Sequence, residues 1–83
     1  MVSAGQIRAA RALLGISAAE LAKRADVNWK TVQRFESSDG VPANRAGTLD
    51  RVVETLEAAG IEFVGDPVTS PGVRLQRAPS KHR

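Results

Sequence analysis

The stretch SAAELAKRADVNWKTVQRFE, Ser17 to Glu36, decides the fold. Its second half opens on Asn28, whose side-chain oxygen suits a helix start, where it accepts from the free amides of the first turn. Val32 and Phe35 lie three residues apart and Val32 and Glu36 four apart, so they share one helix face. The other face carries Trp29, Lys30, Gln33 and Arg34: an aromatic, two cations and an amide, with no acid before Glu36. The first half opens on Ser17 with Glu20 three residues on, a capping box, and predicts a helix over about Ala18 to Ala25 that buries Leu21, Ala22 and Ala25. Between Ala25 and Asn28 stand only Asp26 and Val27, so the two helices must cross at a steep angle. Asp26 falls where the first must end, and aspartate tolerates the left-handed conformation better than most residues. Val27 is the apolar plug of the corner.

Outward from this pair the chain keeps its punctuation. Ser3 with Gln6 forms another capping box and predicts a helix over about Ala4 to Leu14, with Ile7, Ala10 and Leu14 inward, Arg11 on the same side and Gly15 as its stop. Downstream, SSDGVPANRAGT (Ser37 to Thr48) is a loop by its Asp39-Gly40 and Pro42 turn chemistry. Asn44 or Thr48 is placed to cap a helix running to Ala59, lined on one side by Leu49, Val52, Val53 and Leu56 and ended by Gly60. IEFV (Ile61 to Val64) alternates as a short strand, GDPVTSPG is a loop, and VRLQR (Val73 to Arg77) is a second possible strand. The organisation expected is a helical domain over 1–60, a β appendage over 61–77 and a disordered basic tail over 78–83.

Composition bounds the function. Eighty-three residues make one small domain at most, burying only about 60–65% of the surface its unfolded chain exposes. There is no cysteine, so no disulfide or thiolate metal site is expected, and a cytoplasmic life is the simplest reading. Arg8 and Arg11 interrupt the N-terminal apolar run, which is neither a signal-peptide core nor a membrane span. His82 is the lone histidine and lies in the tail, there is no tyrosine, and no nucleophile–base pair is visible, so neither an enzyme nor a bound metal or cofactor is expected. The net charge of +3 resides in residues 1–51, where Arg8, Arg11, Lys23, Arg24, Lys30, Arg34, Arg45 and Arg51 face only Glu20, Asp26, Glu36, Asp39 and Asp50. A basic N-terminal half points to an anionic partner.

Helix, tight turn, helix, with cations and an amide outside the second helix, is the layout of a helix-turn-helix, whose second helix enters the major groove. The residue types fit that groove: Lys and Arg donate to guanine N7 and O6, Gln pairs with adenine, and apolar groups meet the thymine methyl. Over about Gln6 to Leu56 the sequence resembles the Cro and phage-repressor (xenobiotic-response-element) type of helix-turn-helix regulator. Arg11, Gly15, Ser17, Glu20-Leu21-Ala22, Val27, Thr31, Val32 and Phe35-Glu36 carry the resemblance. It implies an all-α, five-helix domain, here with a C-terminal β-hairpin or strand appendage, in which the second and third helices bind double-stranded DNA. It also implies a partly buried ion pair between Arg11 and Glu36, and a phosphate contact at Arg45. The chain departs from the family at Ala18, where a phosphate-touching Gln is usual, and at Asp26, where Gly is usual.

The expected site is therefore Trp29, Lys30, Gln33 and Arg34 for base edges, on a recognition helix of about 29–37, with Lys23, Asn28, Thr31, Asn44 and Arg45 for phosphates. Two strands alone are marginal in water. Ile61, Phe63, Val64, Val73 and Leu75 are accordingly expected at a homodimer interface, which also suits two half-sites of a palindromic operator. The expectation is a nucleoid-associated transcriptional regulator, repressor-like, with no membrane and no small-molecule ligand, controlled by concentration, proteolysis or a regulatory protein partner. An antitoxin, a protein-interaction module of the same fold and an excision or recombination accessory factor are the rival readings.

Overall fold

A computed structural model describes residues 1–76. In chain order it contains α1 (Ala4–Leu14), α2 (Ala18–Ala25), α3 (Trp29–Ser37), a single 3₁₀ turn (Arg45–Gly47), α4 (Thr48–Ala58), β1 (Ile61–Val64) and β2 (Gly72–Leu75). The expectations for Arg77 and for the tail over 78–83 lie outside the described residues.

The helices begin and end where local chemistry permits. Ser3 and Gln6 complete their capping box, the Ser3 hydroxyl accepting from the Gln6 amide at 3.2 Å and Gln6 Oε1 accepting from the Ser3 amide at 3.0 Å. At α2 only half of the expected box forms. Ser17 accepts from the Glu20 amide at 3.0 Å, while the Glu20 carboxylate turns away to Arg24, one turn on, at 2.9 Å. A full charge within reach outcompetes a neutral backbone amide for a carboxylate.

α1 and α2 end alike. Gly15 and Asp26 both lie in the left-handed region, at φ 70° and φ 57°. In each case the next residue's amide reaches back to a carbonyl of the last turn, Ile16 to Arg11 and Val27 to Ala22. This is the Schellman closure, which brings an apolar residue just past the helix end back onto the core. Ile16 and Val27 pack there, half-buried. Asn28 then caps α3, its side chain accepting from the Lys30 amide at 2.8 Å.

The core collects Ile7 and Ala10 of α1, Leu21, Ala22 and Ala25 of α2, Val32 and Phe35 of α3, and Leu49, Val52 and Leu56 of α4. Phe35 is its largest fully buried side chain. Val2 and Ile61 close it from the two flanks.

The five helices and the all-α class implied by the family resemblance are not what the chain forms. The described residues hold four α-helices, a 3₁₀ turn and a two-stranded antiparallel sheet, mostly helical but not all-α. The cause is local. Gly60 takes φ +105° and lies so close to the Gln76 carbonyl that any side chain there would collide with it. Gly65, at φ +74°, likewise leaves no room beside Ser70. Between these two glycines Ile-Glu-Phe-Val alternates with the period of a strand, and Pro67 and Pro71 bar a helix in the return. β1 pairs with β2 in the register Ile61–Leu75, Glu62–Arg74, Phe63–Val73 and Val64–Gly72.

Part of the hairpin is covered by its own chain. Ile61 is only 4% exposed and belongs to the core of its own chain, and Phe63, Val73 and Leu75 pack against that core. On the outer face Arg74 pairs with Glu62 at 2.7 Å. Gln6 fastens the far end: its amide donates to the Val64 carbonyl at 3.2 Å and the Gly72 carbonyl at 2.8 Å. The expectation that the core ends before Gly60, leaving the hairpin's apolar residues to a partner, is thus corrected. Ile61 is buried by its own chain and Phe63, Val73 and Leu75 are half covered by it, while Val64 is half-buried outside the core cluster and Val68 is exposed.

Candidate nucleic-acid interface

The candidate surface is the outer arc of α3. Trp29, Lys30, Gln33 and Arg34 are all exposed, while Val32 and Phe35 turn inward. At 100° per residue Trp29 and Gln33 form one row along the helix and Lys30 and Arg34 the next, so the four candidate base-reading side chains stand together. The Arg34 guanidinium lies 5.3 Å from the centre of the Phe35 ring. Neither the Lys30 nor the Arg34 head group has an ion-pair partner among the described residues.

The ends of α3 are fixed by cations of other helices. Arg11 of α1 grips Glu36 with two parallel bonds, Nε to Oε2 at 2.8 Å and Nη2 to Oε1 at 3.0 Å. The same guanidinium donates from Nη1 to the Ile16 carbonyl at 3.1 Å, so it also ties α3 to the turn before α2. The hydrogen bonds that Arg11 donates to Glu36 are the main reason that its guanidinium is held above its ordinary pKa. Arg8 donates to the Glu36 backbone carbonyl, placing a second cation at the negative end of the helix dipole. At the other end Arg51 of α4 donates to the Asp26 carbonyl at 3.1 Å, bracing the turn between α2 and α3.

The expected phosphate contacts fare differently. Lys23 is exposed, with no ion-pair partner among the described residues, whereas its neighbour Arg24 is held by Glu20. Arg45 is exposed in the 3₁₀ turn. Asn28 is exposed, but its side-chain oxygen is committed to the α3 cap. Thr31 is half-buried. Asn44 is spoken for: its oxygen accepts from the Leu49 and Asp50 amides at 3.0 and 3.4 Å, and its amide donates to the Asp50 carboxylate at 3.1 Å. It thus satisfies the first amides of α4 across the 3₁₀ turn while remaining exposed. Ala18, where the family has a phosphate-touching Gln, is half-buried.

Sequence reading missed three anchors. Arg8 stands one turn before Arg11 on α1, a spacing that could have suggested a joint role. Gln6 was visible as a cap, but its grip on the hairpin joins residues 58 and 66 positions apart, and nothing local signals that. Arg51 carries no local signal either.

No protein-family model, curated protein or solved structure matches the chain. Among the described residues no helix is long and apolar enough to cross a membrane.

Proposed function

We propose that this protein is a sequence-specific regulator of transcription that binds double-stranded DNA with α3 in the major groove. A homodimer on a palindromic operator, in the cytoplasm at the nucleoid, completes the reading. The observation that carries it is the exposed arc of Trp29, Lys30, Gln33 and Arg34 on the second helix of a tightly turned pair. A helix braced at both ends by residues that play no part in that arc is a rigid platform, which is what placing side chains against base edges requires. Lys23 and Arg45 are the flanking phosphate contacts. Dimerisation enters because one short helix reads few base pairs and two half-sites a DNA turn apart double the information, not because the hairpin needs covering.

Selection of bound sites from random duplex DNA, followed by affinity measurements at several salt concentrations, tests the reading. It expects one enriched sequence and an affinity that falls as salt rises. Arg34→Ala should weaken binding to that sequence by about 1–3 kcal/mol and relax the preference at one base pair. Unchanged affinity and preference in that variant would take α3 out of the groove.

A further inference from the structure

Trp29 has a place on the reading arc but no assigned partner atom. It is the first residue of α3, 46% exposed, and stands outside the core cluster. Its indole offers a single N–H donor and no acceptor, on a broad apolar surface. Most of that surface neither donates nor accepts, so laid over a base carbonyl or amino group it would strip water without replacing the lost hydrogen bond. Among the groups that base pairs present in the major groove, the C5-methyl of thymine is the apolar one. 5-Methylcytosine offers the same group at the same ring position. The N-terminal residues of a recognition helix are those that meet base edges, and Trp29 heads the row that continues into Gln33.

We propose that Trp29 reads the C5-methyl group of a pyrimidine in the major groove, with Gln33, four residues on, recognising an adenine beside it. This rests on the DNA-binding reading above. The geometry that favours it is the pairing of one apolar and one bidentate amide side chain in a single helical row, adjacent to the row of Lys30 and Arg34. The first row then recognises an A·T-containing step and the second is suited to guanine.

The test uses the full chain and the sequence enriched from random duplex DNA. Each thymine of that site is replaced in turn by deoxyuridine, which removes only the methyl group. At one position per half-site the exchange should weaken binding about fourfold, the worth of one buried methyl group. Trp29→Ala and Trp29→Gln should each bind the thymine and deoxyuridine duplexes equally. Both variants should keep the wild-type circular dichroism, since Trp29 lies outside the core. Methylating each enriched cytosine at C5 in parallel distinguishes the sources: a gain there in the wild-type protein, absent from both variants, assigns the methyl to 5-methylcytosine rather than thymine. Enriched sites whose affinity ignores every methyl exchange overturn this inference alone, as does a methyl effect that survives in both Trp29 variants. A chain that enriches no sequence and binds without salt dependence overturns the DNA reading and this inference with it.

Discussion

Replacing Gln6 by glutamate keeps the side chain's shape and inverts what it offers the hairpin. Gln6 is 2% exposed, and its amide nitrogen faces two carbonyls, those of Val64 at 3.2 Å and Gly72 at 2.8 Å. Its oxygen accepts from the Ser3 amide, a bond that a carboxylate retains. The amide-to-carbonyl bonds are lost, and two carbonyl oxygens would confront a negative charge. A buried carboxylate with one amide donor and its other oxygen against two carbonyls escapes by taking up a proton. The protonated acid can donate to one of the two carbonyls, so the cost at pH 4 is about one hydrogen bond, roughly 1–2 kcal/mol. Holding that proton at pH 7 against a free-chain pKa of about 4.3 adds up to about 3.7 kcal/mol. The sign follows from proton binding. With its folded pKa raised, the native state binds more protons than the unfolded chain above pH 4.3, so Gln6→Glu loses stability as pH rises towards that folded pKa. Small domains have a margin of about 5 kcal/mol, so the variant should be folded near pH 4 and largely unfolded at pH 7. Gln6→Met, which removes the same bonds without a titrating group, should show a pH-independent loss of about 2–4 kcal/mol relative to wild type. Urea titrations followed by circular dichroism at both pH values decide it. A Gln6→Glu loss below about 1 kcal/mol that does not change with pH would mean that Gln6 is not locked against the hairpin carbonyls.

The Arg11–Glu36 pair is partly buried, its side chains 27% and 11% exposed, so a double-mutant cycle with Arg11→Met and Glu36→Gln should give a coupling of about 1–2 kcal/mol, between the exposed and fully buried limits. Arg11→Met should be the worse single change, because it also releases the Ile16 carbonyl; equal single losses that simply add would refute the pairing. Since Glu36 raises the Arg11 pKa, the coupling is fully present below the arginine's unfolded pKa and lost only in strong alkali, so cycles at pH 6 and pH 9 should agree. Asp26→Gly should stabilise the chain by about 0.5–1 kcal/mol by relieving a left-handed aspartate, leaving untouched the Arg51 bond, which goes to the Asp26 backbone; a loss in thermal melts would reveal a side-chain role at the turn. Deleting Ile61 to Arg83 should destabilise the helices by at least about 3 kcal/mol, because it uncovers the core at Ile61 and strands the Gln6 amide; helices that melt as cooperatively as those of the intact chain would show the hairpin to be an appendage after all.

What was legible in the sequence was whatever short-range chemistry controls. Ser3, Ser17 and Asn28 announce three helix starts, Gly15 and Asp26 two stops, and the inward stripes of all four helices follow from spacing alone. Even the left-handed Asp26 was readable, because a two-residue connection leaves few other conformations. What was not legible depends on contacts far apart in the chain. The hairpin's apolar residues looked unpartnered because much of their cover is α1, some sixty residues earlier in the chain, and because the fold-back of β1 onto α4 across Gly60 is not signalled by spacing. The fifth helix came from the family resemblance alone, whereas the residue-by-residue reading gave four helices and two strands and was the better guide: Asp39-Gly40, Pro42 and Gly47 leave only a 3₁₀ turn between α3 and α4. Glu20 and Asn44 show a third limit: a side chain with two eligible partners cannot be assigned from spacing, since the outcome turns on which partner carries charge or free amides.

The same distinction applies to the charge that first suggested an anionic partner. Of the eight cations in residues 1–51, Arg11 and Arg24 are taken up by carboxylates, Arg8 donates to the Glu36 carbonyl near the end of α3, and Arg51 donates to the Asp26 carbonyl in the turn before it. Lys23, Lys30, Arg34 and Arg45 remain exposed without an ion-pair partner among the described residues. Four of these eight cations are therefore engaged within the fold, and three of them, Arg8, Arg11 and Arg51, brace α3 or the turn before it. A count of positive charge would overstate the footprint on DNA about twofold, since each phosphate contact releases roughly one counterion and only cations free to reach a phosphate contribute. The arrangement makes chemical sense for a reading head. On the proposed reading, arginines anchored to carboxylates and backbone carbonyls are not available to a phosphate, so α3 would keep one orientation and the few remaining cations would meet DNA from a fixed frame.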